Sequence, residues 1–359
     1  MSTLYVSKEN IINNLNSIKE KLNKNTKIIA MVKANAYGTD MFKMAKLLKS
    51  QGITDFGVAL VSEGIALREV LKTEKIIVTS GAISKEDIEN AIKNELTLSV
   101  SDKNICKIIN DIASKIRKKV NVHIAVDTGM TRLGFDKKDI VNSILQIHQN
   151  YEYIDIEGIY THLSCADFDD KFTREQLDVF DFVVKELLNK GINFKYIHAL
   201  NSDGSFRYSE YEYTHIRVGM LMYGYNNTDK ILLKPALKLT TNVIHVKDIA
   251  QESKVSYGAT HLAKTGDKVA VIQIGYADGL FRCLSNNYYV EINGKKCKII
   301  GSICMDMCMV DVSGLDVKVG DEVIVFDFDN DLNEMAKKCN TISYEIISRI
   351  GNRVKRIFI

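Results

Sequence analysis

The chain has 359 residues, 46% of them apolar and 26% charged, the make-up of a water-soluble globular protein too long for one small core. Lysine and arginine total 48 against 45 aspartates and glutamates, a net charge of +3, and no basic block is interleaved with aromatics, so nothing supports nucleic-acid binding. No window approaches a membrane span, Met1–Asn10 has no apolar leader core, and the seven cysteines are odd in number and scattered, so a cytoplasmic protein with reduced thiols is expected.

Along the first two thirds of the chain a short β-rich run is followed, again and again, by a segment of helical period. Eight such runs are expected as strands: Lys27–Val32, Asp55–Leu60, Lys75–Thr79, Leu96–Val100, Val122–Val126, Ile154–Tyr160, Tyr196–Leu200 and His215–Val218. Between them, Asp40 is a candidate N-cap for a helix that buries Met41, Met44, Ala45 and Leu48. Ser101 is a candidate cap for the Ile105, Ile108, Ile109, Ile112 and Ile116 stripe, and Thr173-Arg174-Glu175-Gln176 has the form of a capping box. Eight strand–helix units predict an α/β fold, a (β/α)8 TIM-type barrel over residues 1–233; a doubly wound sheet competes, but Lys33–Gly38 lacks the glycine-rich first turn that a dinucleotide fold would want.

From Lys234, beside the single proline Pro235, the pattern changes to strands without long helices between them, which predicts a C-terminal β-rich domain over 234–359. Its strands are expected at Leu237–Val246, Lys268–Ile274, Tyr288–Ile292, Lys298–Ile300 and Glu322–Phe326, with Asn293-Gly294 as a hairpin turn and helical stretches at Leu332–Cys339 and from Thr341. The first few residues of the chain are candidates to join this second domain.

Barrels keep their chemistry just after the strands, and the polar residues here collect at those positions. Lys33 and Tyr37 follow the first strand, Asp127 and Arg132 the fifth, His162 the sixth, Asn201 and Ser202 the seventh, and Arg217 and Gly219 the eighth. A lone strand-end lysine is usually just solvated, but a partly desolvated one is a nucleophile toward an aldehyde, and Ala34, Ala36 and Gly38 leave room for a flat cofactor. Ser202, Tyr37 and the backbone N–H groups near Gly219 and Met220 suit a phosphate, and His162 could stack on a ring. Taken singly, His162 is equally a satisfied core histidine and Ser202 a turn residue. Asp127-Thr128-Gly129 also spells an aspartic-protease signature, but that chemistry needs a second copy and there is none. Cys304 and Cys308 lack the further ligands of a zinc site, so no metal is expected.

Six segments in order, Val32–Gly38, Asp127–Gly134, Arg217–Gly224, Val255–Thr260, Gly275–Gly279 and Cys304–Asp306, resemble the motifs of the alanine racemase family over nearly the whole chain. The resemblance implies a homodimer that uses pyridoxal 5'-phosphate to interconvert L- and D-alanine, supplying D-alanine for peptidoglycan. It makes Lys33 the Schiff-base lysine and D-side base, and Tyr257, reaching into the partner subunit's barrel, the L-side base. Tyr37, Ser202, Tyr344 and the backbone at Gly219 and Met220 become phosphate contacts, Asn201 a cofactor neighbour, and Arg132 the arginine near the cofactor phenolate. Met305 is implied to bind the substrate carboxylate through its N–H, and Tyr276 with Tyr344 to narrow the entrance. A tyrosine titrating near ~10 needs cationic help to act as a base, and His162 with Arg217 match the family's relay. Arg217 also matches the partner of the cofactor's pyridine nitrogen, where a guanidinium keeps that nitrogen unprotonated and weakens the electron sink.

Three positions depart from the family. Many members carry a carbamylated lysine two residues before the motif aspartate; here it is Ala125, which predicts chloride, another anion or another side chain as the counter-charge of Arg132. Tyr-Gly-His-Gly becomes Tyr37-Gly38-Thr39-Asp40, a changed cap, and an arginine before Ile-Cys-Met-Asp becomes Ser302, expected near the entrance. A one-domain pyridoxal-phosphate carrier would lack residues 234–359, and a decarboxylase on the same plan is disfavoured by Tyr257 and Arg217. A serine or broad-specificity racemase stays open, because an added hydroxyl is rejected only weakly by a small pocket.

Overall fold

The computed structural model of the chain describes residues 2–225, 230–329 and 331–359. After β1 (Thr3–Val6) and α1 (Lys8–Lys21), strands and helices alternate: β2 (Lys27–Met31), α2 (Met41–Ser50), β3 (Asp55–Val58), α3 (Val61–Leu67), β4 (Lys75–Val78), α4 (Lys85–Lys93), β5 (Thr97–Val100), α5 (Lys103–Ile116), β6 (Val120–Asp127), α6 (Ile140–Asn150), β7 (Ile154–Tyr160), α7 (Asp170–Asn189), β8 (Tyr196–His198) and β9 (His215–Val218). Strands β2 to β9 pair in parallel in the order β9-β2-β3-β4-β5-β6-β7-β8. The Arg217 N–H donates to the Leu200 carbonyl at 2.9 Å, just past the end of β8, and so closes the ring. This is the expected eight-stranded barrel. Its strands are buried on both faces, which is why β2 and β4 read as continuous apolar runs, whereas in β3, β5 and β9 the buried polar residues Asp55, Thr97, Ser99, His215 and Arg217 interrupt the run.

Two helix starts differ from the sequence reading. Asp102, not Ser101, caps α5: its carboxylate accepts the Asn104 and Ile105 N–H groups at 2.7 and 3.0 Å, which places the first turn one residue later. Helix α7 begins at Asp170 with Asp169 as its cap, so Thr173 lies inside the helix and its hydroxyl donates back to the Asp169 carbonyl at 2.6 Å. The freed Gln176 is fully buried, where its amide oxygen accepts the Ser164 N–H and its NH2 reaches Thr128 and the His162 carbonyl. Asp40 does cap α2, accepting the Lys43 N–H at 3.0 Å.

The second sheet contains β10 (Leu237–Asp248), β11 (Lys268–Ile272), β12 (Tyr289–Ile292), β13 (Lys295–Ile300), β14 (Cys308–Asp311), β15 (Glu322–Phe326) and β16 (Lys355–Phe358), with helices α8 (Asp331–Lys338) and α9 (Ser343–Ser348). The Asn293-Gly294 turn has positive φ at both residues and joins β12 to β13. β13 starts three residues earlier than read, because Lys295–Cys297 pair across that hairpin. Strand β1 lies between β10 and β16 in this sheet, so the chain begins in one layer and crosses into the other. The two parts are tied by buried Asn14, whose amide donates to Met222 and Lys234 carbonyls at 3.1 and 2.8 Å.

Candidate active site

At the end of β2 the backbone does something L-residues avoid. After Lys33, residues Ala34, Asn35, Ala36 and Tyr37 have φ of 51, 55, 52 and 58°, a full left-handed turn that disfavours each residue by about 1–2 kcal/mol. The surroundings impose it. Tyr223 and Thr39 hydroxyls donate to the Ala36 carbonyl at 2.6 and 2.7 Å, the Asn35 amide oxygen accepts the Met41 N–H at 2.8 Å, and Arg356 donates to the Gly38 carbonyl at 3.0 Å. Gly38 closes the turn at φ 85° with its α-carbon against the Ile347 carbonyl, where a β-carbon could not fit. The result throws the Lys33 and Tyr37 side chains toward one space over the barrel.

That space is a cavity of about 690 Å³ at the carboxyl ends of the strands. Lys33, Tyr37, Arg132, His162, Asn201, Ser202, Arg217, Gly219, Met220 and Tyr344 all line it, so ten expected site residues meet there. Tyr257, Tyr276 and Met305 do not. They sit in the C-terminal domain, 70, 45 and 52% exposed, grouped through the Ser302 hydroxyl, which donates to the Tyr257 carbonyl, and the Tyr276 and Ala277 N–H groups, which donate to Cys304 and Met305 carbonyls. Ser302 itself is buried, with its hydroxyl committed to the Tyr257 carbonyl at 2.7 Å.

Arg217 is the best-held charge in the cavity. One terminal nitrogen donates to His198 Nδ1 at 2.7 Å and the His198 carbonyl at 3.0 Å; the other donates to the Thr161 and Ala199 carbonyls and to His162 Nδ1 at 3.0 Å. Since a guanidinium only donates, both imidazoles must present a bare Nδ1 and carry their proton on Nε2. His162 Nε2–H is then a donor toward the cavity, and His198 Nε2–H donates to His123 Nδ1 at 3.0 Å. Burial, with Arg217 nearby, keeps His162 and His198 well below the ordinary histidine range, and burial draws Arg217 down to about 10, still charged at neutral pH. Tyr160 stacks on His198 at 5.0 Å between ring centres and lies under the Arg217 guanidinium.

Burial first, then Arg132 and Arg217, lower the Lys33 amine from its usual value, against an opposing pull from Glu63. The mouth thus joins a destabilised lysine cation to two arginines. Opposite, the Ser202 hydroxyl accepts the Gly219 N–H at 3.1 Å, beside the start of the short helix Met220–Tyr223, and Tyr37 packs edge-on to Tyr344 at 5.9 Å. A β-carbon at Gly219 would collide with the Tyr37 hydroxyl, so the glycine keeps this cradle open. Hydroxyls, backbone amides and surplus positive charge around a lysine amine fit a phosphorylated aldehyde such as pyridoxal phosphate. Asp127 has a local job, accepting the Gly129 and Thr131 N–H groups in the loop that carries Arg132. Among the described residues no carboxylate forms an ion pair with Arg132, and Ala125 is buried in β6. Glu63, Tyr160 and His198 are not singled out by the sequence: Tyr160 and His198 end their strands two residues before His162 and three before Asn201, whereas Glu63 comes from a helix with no visible motif.

A parallel barrel with a cationic, phosphate-ready mouth and a strand-end lysine defines a class, the barrel enzymes that carry a phosphorylated aldehyde cofactor. Residues 6–227 match the family model of the alanine racemase N-terminal domain and residues 236–358 that of the C-terminal domain, so the chain belongs to the alanine racemase family. It is 35% identical to alanine racemase 2 of Caldanaerobacter subterraneus subsp. tengcongensis, over 99% of this chain and 94% of that protein. The alanine racemase of Clostridium difficile 630 superposes with a TM-score of 0.95 at 33% identity, covering 100% of this chain and 95% of that one. The Bartonella henselae alanine racemase with covalently bound pyridoxal phosphate gives a TM-score of 0.91 at 29% identity, covering 100 and 99%.

Proposed function

We propose that this protein racemises alanine with pyridoxal phosphate held at Lys33; the observation that carries the reading is the left-handed turn that delivers Lys33 and Tyr37 into a cationic cavity beside the Ser202–Gly219 cradle. The chain is a pyridoxal-phosphate-dependent amino-acid racemase. When bound, the cofactor delocalises the electron pair left at the substrate α-carbon. Lys33 Nζ carries the proton on one face of that carbon. Ser202, Tyr37, Tyr344 and the Gly219–Met220 backbone would hold the phosphate, with Asn201 as a further cofactor contact and Arg217 as the partner of the pyridine nitrogen, where its fixed positive charge would disfavour protonation.

The opposite face needs a second base, and Tyr257 of a second copy supplies it. Support comes from its exposure in a group with Tyr276 and Met305 on the C-terminal domain, outside its own chain's cavity. The active form is then a homodimer with shared sites. His162 Nε2–H, set by Arg217, is the donor that would lower the cost of a Tyr257 phenolate. Arg132 takes chloride or a similar small anion as its counter-charge, since Ala125 cannot carry one, and orients the substrate carboxylate with the Met305 N–H. Tyr276 and Tyr344 leave room for a methyl group. D-alanine for peptidoglycan is the role this activity serves.

The test is racemisation of L-alanine, L-serine and L-lysine by the cofactor-loaded protein, with Lys33→Ala and Tyr257→Phe beside it. Fast alanine turnover, weaker serine turnover and loss of both in each variant are expected; a preference for serine would move the substrate and leave the mechanism. Turnover in chloride-free buffer is expected to fall and to return on adding chloride; indifference to chloride counts against the anion.

A further inference from the structure

We propose that Glu63 is a positioning residue for Lys33, its carboxylate clamping the strained lysine turn to the loop after β3 and setting a negative charge against the site's arginines. One carboxylate oxygen accepts the N–H of Ala34, the residue immediately after Lys33, at 2.6 Å. The other accepts the Ala59 and Leu60 N–H groups at 2.8 and 3.1 Å. Glu63 lies in the first turn of α3, so part of this is ordinary capping. The bond to Ala34 is not: it crosses from one strand–helix unit to its neighbour and holds the first positive-φ residue of the left-handed turn.

The charge argument is independent of the clamp. The groups acting on the Lys33 nitrogen are Arg132, Arg217 and Glu63, with neutral His162 also near, and Glu63 alone among them favours the protonated form. No lysine or arginine forms an ion pair with Glu63 among the described residues; its partners are three backbone amides. A carboxylate satisfied by amides keeps its field, and that field falls on Lys33.

Two variants separate charge from reach. Glu63→Gln keeps the length, loses the charge and turns an NH2 toward one of the amide groups. Glu63→Asp keeps the charge but is one methylene too short to span both loops. The inference rests on Lys33 being the cofactor lysine, so the wild-type holoenzyme is first reduced with borohydride and the modified peptide located by mass. With the label on Lys33, the pH midpoint of the holoenzyme's visible cofactor band is compared. Glu63→Gln is expected to lower that midpoint by roughly 0.5–1 unit, and Glu63→Asp to leave it in place while kcat falls about tenfold from misplacement of the lysine. An unmoved or raised midpoint in Glu63→Gln overturns the proposal. If that variant does not fold, a lowered midpoint in Glu63→Asp, or wild-type kcat in it, overturns it equally. A wild-type label elsewhere than Lys33 overturns the cofactor-lysine reading, and the proposal with it.

Discussion

Arg217 illustrates how one donor-only side chain orders its neighbours. Because its two terminal nitrogens take five acceptors, including Nδ1 of both His162 and His198, the proton positions of two imidazoles follow without being observed directly. Lysine cannot reproduce that fork. Arg217→Lys is expected to lower kcat/KM for alanine by about 10²–10³-fold, from loss of two or so charge-assisted bonds; steady-state rates within threefold of wild type would contradict this. Gly219→Ala pushes a methyl into the Tyr37 hydroxyl, and equilibrium dialysis of pyridoxal phosphate is expected to show at least tenfold weaker binding with the fold retained.

Helix α5 offers a clean comparison of adjacent caps. Ser101 and Asp102 are both good cap residues by type, but only the Asp102 carboxylate accepts first-turn amides. Asp102→Ala is expected to cost about 1 kcal/mol and Ser101→Ala close to nothing, read from urea midpoints. The lysine turn makes the opposite point: of its two alanines, asparagine and tyrosine only Asn35 tolerates left-handed backbone readily, and the turn exists because Tyr223, Thr39, Arg356 and Glu63 hold its polar groups. Ala34 is exposed there, so Ala34→Val, adding a β-branch at φ 51°, is expected to destabilise by about 1–2 kcal/mol in thermal melts although it removes no contact.

The barrel interior carries an unusual load of histidine. His123, His198 and His215 are buried, and burial holds His123 down at about 3, His215 at about 4 and His198 well below the ordinary range. All three are neutral when folded, whereas in the unfolded chain they take protons near pH 6.5. Their contribution is therefore intact above pH 6.5 and is lost as pH falls from there toward about 4, at about 1.4 kcal/mol per histidine per pH unit. The urea midpoint is expected to drop clearly between pH 7 and pH 5; a flat profile would refute this. The proposed sharing of sites between two copies makes a second expectation. Mixing inactive Lys33→Ala and Tyr257→Phe proteins under conditions of subunit exchange should restore about a quarter of wild-type activity, since hybrid dimers hold one intact site. No recovery after demonstrated exchange would mean each chain works alone.

The order of residues along the chain was enough to read the barrel and the β-rich domain after it, because burial on both faces writes continuous apolar strands and amphipathic helices directly into the pattern. It was also enough to gather the strand-end residues Lys33, Arg132, His162, Ser202 and Arg217, since a barrel puts every such position at one rim. Tyr344 reached that rim from the far end of the chain only through the family resemblance. Folding alone settled the rest. The caps at Asp102 and Asp169, the burial of Ser302 and Gln176, the left-handed turn after Lys33 and the Glu63 clamp depend on which donors meet which acceptors across segments distant in sequence, and no local periodicity encodes such meetings.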